Sequence, residues 1–319
     1  MDISFIIVCM NKPQQLAVCL DSIRRQTKVS YEVLVAAYLF SEANLSWLRE
    51  QYPWVKVIVS DQIRGFAENN NLCLRQAQGE YCMVINDDTE LRMPVADRLL
   101  EAFRRQLVPQ QCAVMSPRIV WPDGRTQSCG VAPKKFKQTM LECFRLWHRN
   151  DPSPYTNQQG IFRSYNIHGA AFLIRTEVFR ELGWFDERFF FCPEDIALST
   201  LANERGYECW VDADTEIVHF EGLSSRSLSR IQTATRPAST RGTLLWLGTT
   251  PLRRVLLSAA LLCYYLPKVA VFGLKMHLHG SEQDAIKAIS SWHSVCTVFS
   301  NRTAKEIFTH YYSQIHSHA

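Results

Sequence analysis

Asn86, Asp87 and Asp88 follow the apolar run YCMVI, at a point where charge is costly to bury unless it is paired or metal-bound. Adjacent carboxylates are hard oxygen donors, suited to a divalent cation that neutralises charge on a leaving phosphate. A strand-end turn of solvated acids is the plain alternative. Glu194 and Asp195, in FFFCPEDIAL, open an apolar helical pattern after three phenylalanines. Acids in a first turn commonly just complement the helix dipole. Beside so much apolar surface, burial can also tune such an acid toward general-base work. His219, in EIVHFEG, ends an apolar strand. A lone histidine there is more often a satisfied core residue, and it becomes a ligand candidate only alongside the acid sites. An imidazole ligand would favour manganese over magnesium.

The elements that must position these residues alternate. Residues 3–9 read as a buried strand, and 12–26 as a helix with Pro13 near its start, where proline is tolerated. Residues 31–39 read as a second strand, 41–52 as a helix capped by Ser41, and 55–60 as a third strand. A turn and helix follow over 65–80, then a fourth strand, 81–86, ending at the acid pair. Such alternation predicts an α/β fold: a mostly parallel central sheet with helices on both faces. Ligands of open sheets bind beyond the carboxyl ends of the strands, where the loops after Val8 and Ile85 lie.

Farther along, IVWPDGRTQSCG reads as a hairpin around Pro-Asp-Gly. Residues 133–160 carry prolines and lysines without a clear period and read as a mobile, substrate-facing loop. GAAFLIRTEVFRELG reads as strand then helix, and CWVDADTEIVHFEG as a short strand pair ending at His219.

The totals exclude some classes. The 319 residues are 47% hydrophobic and 21% charged, enough for a sizeable core. A net charge of +4 gives no broad nucleic-acid footprint. The eleven cysteines form no C-x-x-C pair, so reduced, buried thiols in a cytosolic protein are expected, and no zinc site. The N-terminus lacks a basic region and a small-residue cleavage site, so no signal peptide is expected.

Four segments occur in order: SFIIVCMNKPQQLAVCLDSIRRQT, RGFAENNNLCLRQAQGEYCMVINDDTEL, HGAAFLIRTEVFRELGWFDERFFFCPEDIAL and RGYECWVDADTEIVHFEG. Together they resemble glycosyltransferase family 2, inverting enzymes of the GT-A fold, and most of all bacterial rhamnosyltransferase-like members that build surface polysaccharides. The resemblance runs from residue 3 to about 225. It implies a GT-A domain over 1–225 that takes a nucleotide-diphospho-sugar donor and a glycan or lipid-linked acceptor. By the same resemblance, Asp88 is a metal ligand for Mn2+ or Mg2+, and Asn86 or Asp87 faces the donor's ribose and diphosphate. His219 would complete the metal site. Asp195 would be the catalytic base, with Glu194 its pair and the next candidate. Cys9 and Asn11 would line the nucleotide, and Asn71 would lie near the donor. Two positions depart from the pattern. Ala37 stands where the family places a base-recognition aspartate, and Ala197 replaces the second acid of its E-D-x-D-L run. An aspartate introduced at 37 is expected to be tolerated.

Two other readings compete. A non-catalytic sugar-nucleotide or glycan binder would explain the missing acid at 37, but it would not need Asp88, Asp195 and His219 together. A nucleotidyltransferase would need a glycine-rich basic loop after the first strand, which VCMNKPQQ does not supply.

The stretch 226–252 reads as a connector, and 253–319 as a helical appendage. RRVLLSAALLCYYLPKVAVFGLKMHLH is apolar with basic flanks, but Pro267 and Lys268 interrupt it. Two helices broken at the proline and lying on an anionic membrane are expected, with Arg236, Arg241, Arg253, Arg254, Lys268 and Lys275 facing the lipid. The alternative is a core or dimer interface. The membrane reading puts the protein at the inner face of the plasma membrane as a peripheral protein. Oligomeric state is left open.

Overall fold

A computed structural model describes residues 1–144, 154–220 and 230–316. The strands are β1 (Ile3–Met10), β2 (Tyr31–Tyr38), β3 (Val55–Ser60), β4 (Tyr81–Asn86), β5 (Thr89–Glu90), β6 (Cys112–Val120), β7 (Thr126–Ser128), β8 (Ile161–Ser164), β9 (Ala171–Arg175) and β10 (Glu208–His219). The helices are α1 (Pro13–Gln26), α2 (Glu42–Gln51), α3 (Phe66–Leu74), α4 (Val95–Arg104), α5 (Phe136–Cys143), α6 (Thr176–Glu181), α7 (Glu194–Glu204), α8 (Gln232–Leu247), α9 (Pro251–His279), α10 (Glu282–Val298) and α11 (Ala304–His316).

The described residues form two compact units. The first holds 1–133, 154–186 and 194–220, and the second holds 134–144, 187–193 and 230–316.

The first unit is built on one sheet, ordered β3-β2-β1-β4-β9-β6-β10-β5. β1 to β4 pair in parallel, as does β6 with β10, while β9 runs antiparallel between β4 and β6. Alternate side chains leave opposite faces of each strand. Phe5, Ile7, Val35, Met83 and Ile85 join Leu16, Leu20 and Ile23 of α1, Leu45 and Leu48 of α2 and Leu99 of α4 in one core. Ile6, Leu34 and Val84 face the other way, toward Leu74 of α3, Phe179 of α6 and Leu198 of α7. The sandwich of helix, sheet and helix expected from the sequence is present. Ser41 caps α2 by accepting from Asn44 N, and β6 and β7 form the expected hairpin. All eleven cysteines are free and eight are buried.

Four local expectations are corrected. The strand pair near 209–219 is one strand, β10, whose pairing with β6 shifts register between Asp212 and Glu216. There Thr215 Oγ1 donates to Asp212 Oδ2 at 2.5 Å. Within the stretch read as a loop, residues 136–143 are helical as α5, and 145–153 lie outside the described residues. The connector is largely α8, with 221–229 outside the described residues. Ala37 is fully enclosed between the sheet and α1 and α2, so an aspartate there would bury an unpaired charge.

The second unit is helical. α9 runs unbroken through Pro267 for 29 residues, capped by Thr250 at its start and by left-handed Gly280 at its end. The break expected at the proline does not occur: the helix accommodates the lost hydrogen bond to the carbonyl of residue 263. Leu257, Ala260 and Leu261 pack with Leu244 and Leu247 of α8 and Cys143 of α5. Phe190 stacks on Phe308 of α11 with ring centroids 4.4 Å apart.

β4, which carries the acid pair, is set against β1 by a close approach at Gly79. Its N–H donates to Ser4 Oγ at 2.8 Å. A Cβ there would lie 2.5 Å from Ser4 N and 2.7 Å from the Ile3 carbonyl carbon, both backbone atoms that cannot swing away. Gly79→Ala is expected to cost about 3 kcal/mol, read as a lower urea midpoint with an unchanged slope.

Candidate active site

The carboxyl ends of β1 and β4 carry the first group of polar residues. Thr89 Oγ1 donates to Asn86 O at 2.8 Å and tightens the turn between β4 and β5. β5 then pairs antiparallel with the end of β10, with His219 opposite Thr89. Phe220 N donates to Asp88 O at 2.8 Å and closes this junction. Two residues 131 positions apart thereby meet: His219 Nε2 lies 3.1 Å from Asp88 Oδ1. Both are enclosed, at 7% exposure for Asp88 and 4% for His219.

Two neighbours orient the imidazole. Gln127 Oε1 lies 2.9 Å from Nδ1, and Asn86 Nδ2 lies 3.3 Å from Nε2. With the Gln127 oxygen as acceptor, the ring holds its proton on Nδ1 and presents the Nε2 lone pair toward Asp88. A lone pair and a carboxylate oxygen 3.1 Å apart need a positive species between them, a proton or a metal ion. The N,O donor set fits a divalent transition cation. Among the described residues no third His, Cys, Asp or Glu completes a protein cage. Such a cation would therefore take its remaining ligands from substrate oxygens and water.

Asp87 turns toward α1. Gln15 Nε2 donates to its Oδ1 at 3.0 Å, and the Cys9 thiol also bonds to it. Burial pushes Asp87 up from the ordinary 3.8 to about 6, and the charge of Asp88 adds to this; the Cys9 and Gln15 hydrogen bonds and Lys12 pull the other way. Cys9 itself is fully enclosed in the core, where burial pushes its thiol up. It therefore supports Asp87 from below and does not line the open site as expected. Asn11 ends β1 with φ 51, is exposed, and accepts from Ser41 N at 3.1 Å and Asn44 Nδ2 at 2.8 Å. Asn71 differs from its expected place near the donor. It is buried, and its amide exchanges two hydrogen bonds with the backbone of Phe185, at 2.9 and 3.1 Å. It braces α3 against the segment after α6.

Asp195 stands in the first turn of α7. Gly169 N donates to its Oδ2 at 2.9 Å, and Ile196 N to its Oδ1 at 2.8 Å. Ser199 Oγ donates to Asp195 O and accepts from Ile167 N, which ties α7 to the loop before β9. A Cβ on Gly169 would meet Asp195 Oδ2 at 3.0 Å, so glycine lets the backbone approach the carboxylate. Asp195 is half-buried and reachable, while Glu194 is enclosed at 7% exposure.

His168 precedes Gly169. Its ring centroid lies 6.1 Å from that of His219, and its Nδ1 accepts from Ala170 N at 3.2 Å. The loop between β8 and β9 thus touches the Asp88–His219 pair with one residue and Asp195 with the next. His168, Gly169, Gln127 and Gln15 were not singled out from the sequence. Their only signal is position, just before a strand, in a hairpin and at a helix start.

The raised Asp87 has a thermodynamic consequence. Between about pH 4 and 6 the folded chain holds a proton on Asp87 that the unfolded chain has released, so stability falls as pH rises through that window and then levels off. Asp87→Asn should flatten this dependence and raise the stability of the ligand-free protein at pH 8 by about 1–3 kcal/mol. Urea unfolding of both proteins at pH 5 and pH 8 checks it; an equal gain at both pH values contradicts it.

The chain matches the family model described as Glycosyl transferase family 2 over residues 4–183. It is 28% identical over 229 residues to the O-antigen biosynthesis protein RfbC of Myxococcus xanthus, a match covering 70% of this chain and 18% of that much longer protein. Its fold is similar to that of GalNAc-T7 with UDP, GalNAc and Mn2+, at a TM-score of 0.54, 17% identity and coverage of 69% of this chain and 44% of that one. It is also similar to the mannosyltransferase PcManGT from Pyrobaculum calidifontis in complex with GDP-Man and Mn2+, at a TM-score of 0.52, 17% identity and coverage of 92% and 86%. With the family model matched across more than half of its residues and this fold beneath the match, the chain belongs to glycosyl transferase family 2 and has the GT-A fold.

Proposed function

We propose that this chain is a glycosyltransferase that moves a sugar from a nucleotide-diphospho-sugar to a hydroxyl of a glycan or lipid-linked glycan in surface-polysaccharide synthesis, in one displacement with inversion. The observation that carries the reading is the His168–Gly169 step, which brings Asp195 and the Asp88–His219 pair to one sheet edge as two separate groups. Base and leaving-group site must flank the reacting carbon, and one acid site cannot fill both roles. The UDP and GDP-Man of the two similar structures, and the name of the M. xanthus relative, support this donor class and setting.

Asp195 is the base in this reading. Backbone N–H groups fix both of its oxygens, and each keeps a lone pair for an acceptor hydroxyl. As that hydroxyl oxygen bonds to the anomeric carbon, Asp195 takes its proton, and the bond to the diphosphate breaks on the opposite face. Asp88 and His219 would hold the divalent cation, Mn2+ or Mg2+, which when bound supplies positive charge to the diphosphate. Gln127 and Asn86 hold the His219 ring in the required tautomer and direction.

Asp195→Asn should lower transfer by about two to four orders of magnitude while donor binding stays within a few-fold. A panel of nucleotide sugars, with and without Mn2+, identifies the donor for this assay, and NMR of the product's anomeric centre reads the inversion. Near-normal transfer by the variant would move the role to Glu194. Separately, Asp88→Ala and His219→Ala should each weaken binding of Mn2+ with nucleoside diphosphate about tenfold or more, by calorimetry. Unchanged affinity in the Asp88 variant would remove the metal from this pair.

A further inference from the structure

The described residues of the second unit leave an apolar surface of that unit uncovered. α9 has two faces. Leu257, Ala260 and Leu261 are buried against α8 and α5, and α10 runs beside them. On the other side, Leu252, Leu256, Ala259, Cys263, Leu266, Ala270 and Leu274 recur at three- and four-residue steps and are all exposed. They form one uncharged stripe along a helix of roughly 43 Å, at 1.5 Å per residue. Leu252 is 69% exposed and Leu274 59%. Apolar surface so continuous marks a binding face.

The charge of the helix names the partner. Arg253, Arg254, Lys268 and Lys275 are the charged residues of α9, and the helix has no acid. Arg253 and Arg254 stand exposed at its start. The Lys268 stem folds over the Tyr264 ring, with Nζ 3.5 Å from its centroid, so its methylenes lie along the helix while the charge stays at the end of the side chain. We infer that this face of α9 lies in the plane of an anionic lipid surface, with the stripe in the acyl boundary and the cations at the phosphates.

Two other occupants fit less well. Pairing the stripe with a second copy would cover the apolar side chains but leave the four cations of α9 without an acid on the helix to answer them. A bilayer-spanning α9 is ruled against by its inner face. It is the one helix among the described residues long and apolar enough to cross. However, its packed side is occupied by α8 and by α10, which carries the Asp284–Lys287 pair and Glu282. Those helices cannot follow it into hydrocarbon.

The inference is independent of the proposed chemistry, because its test uses no substrate. Full-length protein is sedimented with vesicles of phosphatidylcholine containing about 30% phosphatidylglycerol, and with phosphatidylcholine alone, at about 0.1 M and 0.5 M salt. Binding to the anionic vesicles should exceed that to neutral ones at least tenfold and fall at high salt. Leu266→Asp with Leu274→Asp, and separately Arg253→Glu with Lys275→Glu, should each cut the partition more than tenfold. These sites are exposed, so both variants should keep the parent's circular dichroism and melting temperature. Equal binding to neutral vesicles overturns the electrostatic part of the inference. A protein that ignores anionic vesicles, and is a dimer that Leu266→Asp with Leu274→Asp makes monomeric, assigns the stripe to a second copy. Resistance to carbonate extraction from membranes means that α9 spans.

Discussion

The 3.1 Å contact between Asp88 and His219 sets the demands on the rest of the first unit. Neither side chain can be placed alone. Asp88 depends on the tight turn after β4, and His219 on the last residue of a strand that begins at Glu208. β5 is only two residues long, yet its antiparallel pairing with β10 fixes which residue faces Asp88. A slip of one residue would turn His219 to the opposite face. The irregularity between Asp212 and Glu216 lies upstream of this pairing and is spanned by the Asp212–Thr215 hydrogen bond. The register at the site is therefore kept by local polar bonds as well as by the core.

The same edge concentrates negative charge. Asp87 and Asp88 are adjacent and largely shielded from water, and Asp87 is pushed up as a result. A structure that needed only stability would replace these acids with apolar residues of similar size. Keeping them costs the ligand-free fold something, and a cation with a phosphate ligand would offset that cost.

Much of this was legible before the fold was known, and the reasons are physical. In β1 to β4 the chain alternates buried strands with helices, and a parallel sheet needs apolar residues on both strand faces. Runs such as FIIV and MVI therefore stand out, and the rule that sites lie at carboxyl ends locates Asp87 and Asp88. Ser41 was readable as a cap because its hydroxyl acts within one turn. The tertiary partners were not readable. Gln127 and His168 gain meaning only when β7 and the loop before β9 arrive beside His219. Asn71 was placed near the donor by the family resemblance alone; its partner, Phe185, is 114 positions away. Cys9 lies at the correct strand end but on the strand's inward face. Pro267 misled for another reason: proline weakens a helix by a few kcal/mol, yet α9 runs through it unbroken.

Gly169 shows how positioning and chemistry share one residue. Its backbone φ is not in the left-handed region, so turn geometry does not demand glycine there. The demand comes from the carboxylate. Any side chain would press on Asp195 at 3.0 Å, while the bare backbone offers an N–H at 2.9 Å. The preceding residue must be large enough to reach His219, and His168 does so while accepting from Ala170. Small and large residues in sequence therefore set two separate groups at one edge. Ser199 locks α7 to the backbone of Ile167 two positions earlier, so the loop and the base move together or not at all. The separation of Asp195 from the Asp88–His219 pair is thus a property of a short, doubly anchored loop, which explains why it needs no long motif in the sequence.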